Sequence, residues 1–492
     1  MSQDLLNRSD SKEPQIPELV LALLLASAAG GLGWGIRGQY GHETGAMMAG
    51  LLVGLACCLV FCGRLSSLTL ARAAAMGAIG FSFGGTMTIG QTIGLTHDHE
   101  LVGQVAPLMW GMLGLFIKGG IWIGFGGLLL AMGLGGKKYG SGEIAILFLV
   151  MMGVGVAGYF LLNQPYDPAN RELPLIYFSD HWRWEPDKEL KPRHEQWGGL
   201  LFALITLAVY TGWIKKDRLA RNMAICSFLS GGLGWMAGQG LQSAIVWNRE
   251  WFQESWLRVV ANTNTWNTME TAFGMAFGLG IGLSLWLNRH LIATDDREQS
   301  DEPIFSPWVE WLTILLHIAL LIAWNFDENE TVGRVVSFFG LKSSTVEQIT
   351  DFPFVMGILP LAAIVAGRYW PYAMSFIIVA IPIAGKTYRI FGAGENPIPD
   401  DIRWFAFVVY PIALMVGAAY HFWFRSLEQT GRSFTAQALV LTSFFYYSLN
   451  FAFFGFPWPW AESGARSPNN WVFNGCVLTI VVSAIIWGHR KR

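Results

Sequence analysis

Charge is scarce in this sequence: Asp, Glu, Lys and Arg make up 14% of 492 residues, against about a quarter in soluble domains. That shortage argues against an ordinary soluble enzyme. Net charge is also small, −2 at neutral pH, which leaves no broad basic surface for nucleic acid. Cysteine is limited to five residues (Cys57, Cys58, Cys62, Cys226 and Cys476). All lie in apolar stretches, so no external disulfide framework is implied. No phosphate loop, dinucleotide fingerprint, nucleophile elbow or haem-attachment motif occurs in a believable context, so no cofactor is identified. Glycine strings such as Gly119-Gly120 and Gly124 to Gly127 sit inside an apolar run and are not phosphate loops.

What the chain has instead is hydrophobicity, 53% of residues, with 57 Gly, 33 Phe and 23 Trp. A membrane-crossing helix needs about 20 mostly apolar residues. Segments 17–36, 44–63, 71–93, 106–132, 143–163, 197–214, 221–245, 266–287, 305–325, 352–368, 371–386, 403–424, 434–455 and 470–488 qualify. The expected fold is therefore an all-α polytopic membrane protein with about fourteen transmembrane helices, its natural location an inner or plasma membrane. Lys and Arg accumulate in cytoplasmic loops. With the N-terminus inside, Arg64 and Arg72, Lys137 and Lys138, Lys215 and Lys216, Arg289 and Arg297, and Arg425 and Arg432 all fall on the inner side. Both termini are then cytoplasmic. The leader before the first span contains Asp4, Asp10, Glu13 and Glu18, a poor n-region for a cleaved signal peptide.

The first eight spans carry an internal echo. Gly30-Gly31-Leu32-Gly33-Trp34 through Gly38-Gln39 in span one returns as Gly231-Gly232-Leu233-Gly234-Trp235 through Gly238-Gln239 in span seven. A shorter version, Gly84-Gly85 and Gly90-Gln91, lies in span three. His42-Glu43-Thr44 opens span two, Met269-Glu270-Thr271 span eight, and His194-Glu195-Gln196 span six. The expected organisation is a tail (1–16), two parallel four-helix repeats (17–132 and 143–287, the second with outer loop 165–194), a cytoplasmic linker (288–304), a six-helix bundle (305–488) and a basic tail (489–492). Gly in these strings serves close helix packing, or it unwinds the outer ends of spans one, three and seven so that Gln39, Gln91 and Gln239 line a cavity.

Lys118 lies near the middle of span four, too far to snorkel across the ~15 Å to either interface. It must face a cavity or a carboxylate partner, as a structural ion pair or as a solute-binding or proton-coupling group. Arg37, Gln39, His42 and Glu43 cluster at the turn from span one to span two, where Arg37 and Glu43 are placed to pair. Gln239 and Glu270 occupy the equivalent places in the second half. Glu43 and Glu270 either cap their helices or belong to a site. His97, Asp98 and His99 are metal-ligand types in an outer loop, at a spacing that fits no named zinc motif; a solvated loop is the alternative. Trp alternating with charge over 180–185 suits a segment lying at the membrane interface.

Three functions are compatible with these features. The first is a transporter for a small polar or anionic solute, ion-coupled because no ATPase partner is indicated. In it Lys118, Arg37, Gln39, His42, Glu43, Gln91, Gln239 and Glu270 form an extracytoplasmic site. The second is a membrane-embedded enzyme transferring a glycosyl, acyl or phosphoryl group from a lipid-linked substrate at the outer leaflet. The third is a structural subunit of a membrane complex. The lipid bilayer is a partner in all three; a homo-oligomer or a complex partner is compatible with each.

Overall fold

The computed structural model describes residues 16–38, 40–187, 192–294, 305–326, 357–393, 398–454 and 467–489. Gln39, singled out above, lies outside the described residues. Among the described residues the protein is helical, without strands. Helices lie at every expected position: α1 (Ile16–Arg37), α2 (Glu43–Phe61), α3 (Ser67–Gly84), α4 (Val105–Leu134), α5 (Ser141–Leu162), α6 (Trp197–Ile214) and α7 (Arg218–Trp247). They continue with α8 (Thr265–Leu287), α9 (Pro307–Phe326), α10 (Ile358–Ala366), α11 (Trp370–Ile390), α12 (Asp400–Phe424), α13 (Gly431–Phe454) and α14 (Ser467–Gly488). Nine of these among the described residues are long and apolar enough to cross a membrane: α1, α2, α4, α5, α6, α8, α11, α12 and α14. The protein is a multi-pass helical membrane protein.

Six helices close into a ring. Each packs on the next in the order α1, α2, α3, α4, α7, α8 and back to α1. Three hairpins (α1–α2, α3–α4 and α7–α8) thus stand around one axis. The α5–α6 hairpin stays outside the ring, with α6 against α4 and α5 against α10. Two of the ring hairpins come from the first expected half and one from the second. From the C-terminal helices, α14 packs on α1 and α13 on α2, while α11 meets α3.

Glycine sets how closely these helices approach. Gly30 of α1 faces the backbone of Gly274 and Gly278 on α8, and Gly231 of α7 faces the Gly119 carbonyl and Ile123 on α4. A side chain at either would strike helix backbone, which has no rotamer to escape into. The Gly strings of α1 and α7 therefore pack instead of unwinding, and α7 stays helical through Gly240 to Trp247. Among the described residues span three breaks: α3 stops at Gly84, and a short helix, Gly90–Gly94, follows. Inside the ring, aromatic rings fill the axis. Trp34 lies 4.9 Å from Trp122, 6.5 Å from Trp235 and 4.7 Å from Phe273, while Phe81 and Phe277 meet at 5.4 Å.

At the end of the ring opposite the candidate site, the Asp217 carboxylate caps α7 by accepting from Ala220 N at 2.9 Å and from the Tyr139 hydroxyl at 2.9 Å. Burial pushes this carboxyl above the ordinary Asp value, opposed by those hydrogen bonds. An acid that holds its proton more tightly when folded stabilises most at low pH, and that contribution is lost as pH rises through its unfolded and then its folded pKa. Asp217→Asn keeps the cap through its one acceptor oxygen, turns the Tyr139 contact into one in which the amide donates to the hydroxyl oxygen, and removes this pH dependence. Asp217→Ala strands the cap and the hydroxyl and is expected to cost about 1–2 kcal/mol. Melting curves of both variants across pH 5–8 check the pair of outcomes.

Candidate functional site

Two helices of the ring are longer than the hydrocarbon core of a bilayer is thick. α4 and α7 have 30 residues each, about 45 Å of helix against a hydrocarbon core of ~30 Å. Gly84, the last residue of α3, meets Trp122 of α4, and α6 begins at Trp197, whose ring is 6.4 Å from that of Trp122. Lys118 is one turn further out. Midway along its own helix, it nonetheless sits at the level where its neighbours end, not at the middle of the bundle. The rest of α4 rises beside loops 85–104 and 163–196.

The Lys118 ammonium is wholly enclosed and fully used. It donates to Glu195 Oε1 at 2.8 Å and Oε2 at 2.9 Å, to Thr92 Oγ1 at 2.5 Å and to Ser179 Oγ at 3.1 Å. Both partners of the ion pair are buried, with 1% and 3% of their side chains exposed. Ser179 Oγ–H in turn donates to Glu195. The described part of the outer loop therefore folds partly inward, against α4. Tyr177, Phe178, Ser179, Asp180 and His181 are buried, with Phe178 seated against Gly114 of α4. The loop turns inward because the lysine and the adjoining carboxylate would otherwise each be stranded without a counter-charge.

A second buried ion pair joins the first and last ring hairpins. Arg37 Nη2 donates to Glu270 Oε1 at 2.6 Å, and Nη1 lies 3.2 Å from His42 Nδ1. The expected Arg37–Glu43 pairing is replaced by this cross-helix one, because Gly38 packs directly against the Glu270 carboxylate. Glu43 instead starts α2 and feels the charges of Lys386 and Arg37. Burial, reinforced by Arg37, Lys386 and Arg193, presses the His42 imidazole down to about 3. His42 is thus held neutral at physiological pH, accepting from Arg37 through Nδ1 with its one ring proton on Nε2.

Aromatic faces connect the two pairs. The Arg37 guanidinium lies 4.7 Å from the Trp34 ring and 5.6 Å from Trp122, and Lys118 Nζ lies 5.9 Å from Trp197. Trp122 stands between them, also 5.9 Å from His42.

The remaining expected residues fall around the broken segment after α3. Gln91 Oε1 accepts from Arg193 N at 2.8 Å. Gln239 Nε2 donates to Thr96 Oγ1 at 2.6 Å, and Trp247 Nε1 to the Thr96 carbonyl at 3.0 Å. His97 is held by the Ile93 carbonyl at 3.0 Å and packs on Trp266, Asp98 faces His181 at 3.7 Å, and His99 is exposed. Among the described residues no three His, Cys, Asp or Glu side chains gather as a metal would require, so these three residues do not assemble a metal shell there.

Three members of the cluster escape a reading of the sequence. Glu195 was visible only as an echo of the His-Glu pair at residues 42 and 43; nothing local marks it as the partner of Lys118. Lys386 belongs to α11, outside the repeats, yet its ammonium donates to the Tyr40 carbonyl and, at 2.9 Å, to Thr44 Oγ1. Gly41, at φ 85°, leaves room there that a side chain would close. Gln242 lies three residues beyond Gln239 and is equally buried. No family model matches the chain, and no curated protein or solved structure matches it either.

Proposed function

We propose that the protein is a transporter, ion-coupled, for a small polar or anionic solute, working in an inner or plasma membrane with both termini cytoplasmic. The observation that carries this reading is the pair of buried ion pairs, Arg37–Glu270 and Lys118–Glu195, each joining separate hairpins at one end of an apolar ring. Ionisable groups inside membrane proteins are costly and are retained where they bind or move something. In this scheme Arg37, Lys118, Gln91 and Gln239, with Gln39 beside them in sequence, belong to the solute site. Glu270 or Glu43 carries the coupling proton: protonation of Glu270 frees Arg37, and the hairpins on either side can then part. The aromatic axis around Trp34, Trp122 and Trp235 is the barrier that this parting opens. The parallel repeats supply hairpins of one orientation on which such a barrier can rock.

The test is uptake by proteoliposomes carrying an inward proton gradient, with a panel of labelled small acids and neutral polar solutes. Gradient-driven accumulation above protein-free vesicles is expected. It should vanish in the Arg37→Gln/Glu270→Gln double variant, which removes both charges together and so leaves no unpaired one. A folded, monodisperse wild-type protein that accumulates nothing from the panel overturns the reading.

A further inference from the structure

A buried polar stripe runs along the outer third of α7. Trp235, Gln239 and Gln242 stand at i, i+4 and i+7, so they share one helix face over about 10 Å. All three are completely buried. The stripe starts at the aromatic axis, where Trp235 lies 6.5 Å from Trp34, and ends beneath the segment that holds Thr96.

Its hydrogen-bonding capacity is largely unspent. Among the described residues Gln242 has no partner for either amide atom, and Gln239 has none for its carbonyl oxygen. The indole N–H groups of Trp34 and Trp235 and the Nε–H of Arg37 are equally unanswered. Buried amides are almost always hydrogen-bonded, because leaving them dry sacrifices the bonds they made with water. Several such groups along one stripe mark a place that is polar when occupied.

The chemistry of the occupant follows from what is free and what is not. The charges nearby are already spent, Arg37 on Glu270 and Lys118 on Glu195. The unanswered atoms are nearly all neutral, with donors on Trp34, Trp235 and Gln242 and acceptors on Gln239 and Gln242. An ion placed there would lose its hydration without meeting a free counter-charge. A neutral molecule with both donors and acceptors would satisfy the stripe.

We infer that the Trp235–Gln239–Gln242 stripe is the solute-binding surface of the proposed transporter, and that the solute is a small uncharged molecule bearing hydrogen-bond donors and acceptors, of amide or polyol type. This inference rests on the transport reading and narrows it from polar or anionic to neutral.

Stopped-flow light scattering on proteoliposomes of the full chain tests it. Vesicles are mixed with hyperosmotic urea, glycerol or potassium phosphate (the last with valinomycin), with and without an inward proton gradient. They shrink as water leaves and re-swell as solute enters. Re-swelling in urea or glycerol faster than in protein-free vesicles, with no such recovery in phosphate, is the expected result. Gln242→Met should slow that recovery about tenfold, the equivalent of two lost hydrogen bonds, with a melting temperature equal to or above wild type. Gln242→Asn, which keeps an amide on a shorter stem, should also slow it and guards against a misfolded Met variant. Phosphate entry with neutral solutes excluded overturns the inference and leaves the transport reading standing. No entry of any solute through folded protein overturns both. Faster shrinkage without re-swelling identifies water as the sole occupant and overturns the inference. So does a Gln242→Met variant that melts lower while neutral solute enters at the wild-type rate, since the amide is then structural.

Discussion

Lys118→Met is expected to lower the stability of the folded protein by about 3–5 kcal/mol, because it strands the Glu195 carboxylate in a site closed to water. Glu195 is 3% exposed and, among the described residues, would keep the Ser179 hydroxyl as its close donor. Removing both charges together should behave differently. In Lys118→Met/Glu195→Gln neither group demands a counter-ion, and replacing a buried pair by uncharged groups is often near neutral. Most of the lost stability should therefore return in the double variant. Melting temperatures of the four proteins of this cycle, measured by size-exclusion chromatography after heating in detergent, give the coupling directly. Additive losses would show that the two charges do not depend on each other. The same double variant separates architecture from activity: if the pair acts on solute, the rescued protein folds but does not transport. If it transports at the wild-type rate, the pair is a structural staple only.

Gly231→Val is the second large effect, an expected loss of about 3 kcal/mol from overpacking. A β-carbon there meets the Gly119 carbonyl and lies 2.6 Å from the Ile123 β-carbon. The carbonyl belongs to a helix in mid-course, so relief requires α4 and α7 to separate along their length. That separation would draw Trp235 away from Trp34 and loosen the axis of the ring. Gly240, nine residues further along the same helix, meets nothing within 4 Å. Gly240→Ala should be neutral or stabilising by up to ~1 kcal/mol, since Ala is the better helix former. Side-by-side melting of the two variants distinguishes close packing from helix propensity as the reason for glycine in α7. Equal effects at both positions would contradict the packing account.

Individual residues show how far the sequence could be read. The helices were visible because each is a run of apolar side chains long enough to be counted, and the structure has a helix at every such run among the described residues. Lys118 was visible as a charge in need of a partner, since no apolar helix tolerates a lone ammonium. Its depth was not visible. A count of residues from the helix ends assumes a helix as long as the membrane is thick, and α4 is longer. The partner was not visible either, because Glu195 is 77 positions away in a loop whose alternating Trp and charge imitate a surface segment. The Arg37–Glu270 pair spans 233 positions. The expectation of an Arg37–Glu43 pair used the nearest carboxylate in sequence, whereas the closest in space arrives from α8 through the glycine contact of Gly30 with Gly274.

Composition and hydropathy by themselves determined the solvent and the helical class, because burying backbone in lipid requires every N–H and C=O to be satisfied within a helix. They also determined which residue types had to be accounted for: the mid-helix lysine, the arginine at the first turn and the recurring glutamines. Only the tertiary structure decided which hairpins form the ring, which carboxylate answers which cation, and that Gln242 joins the stripe. Those outcomes depend on where small residues let two backbones touch, and that contact brings together side chains that no local pattern relates.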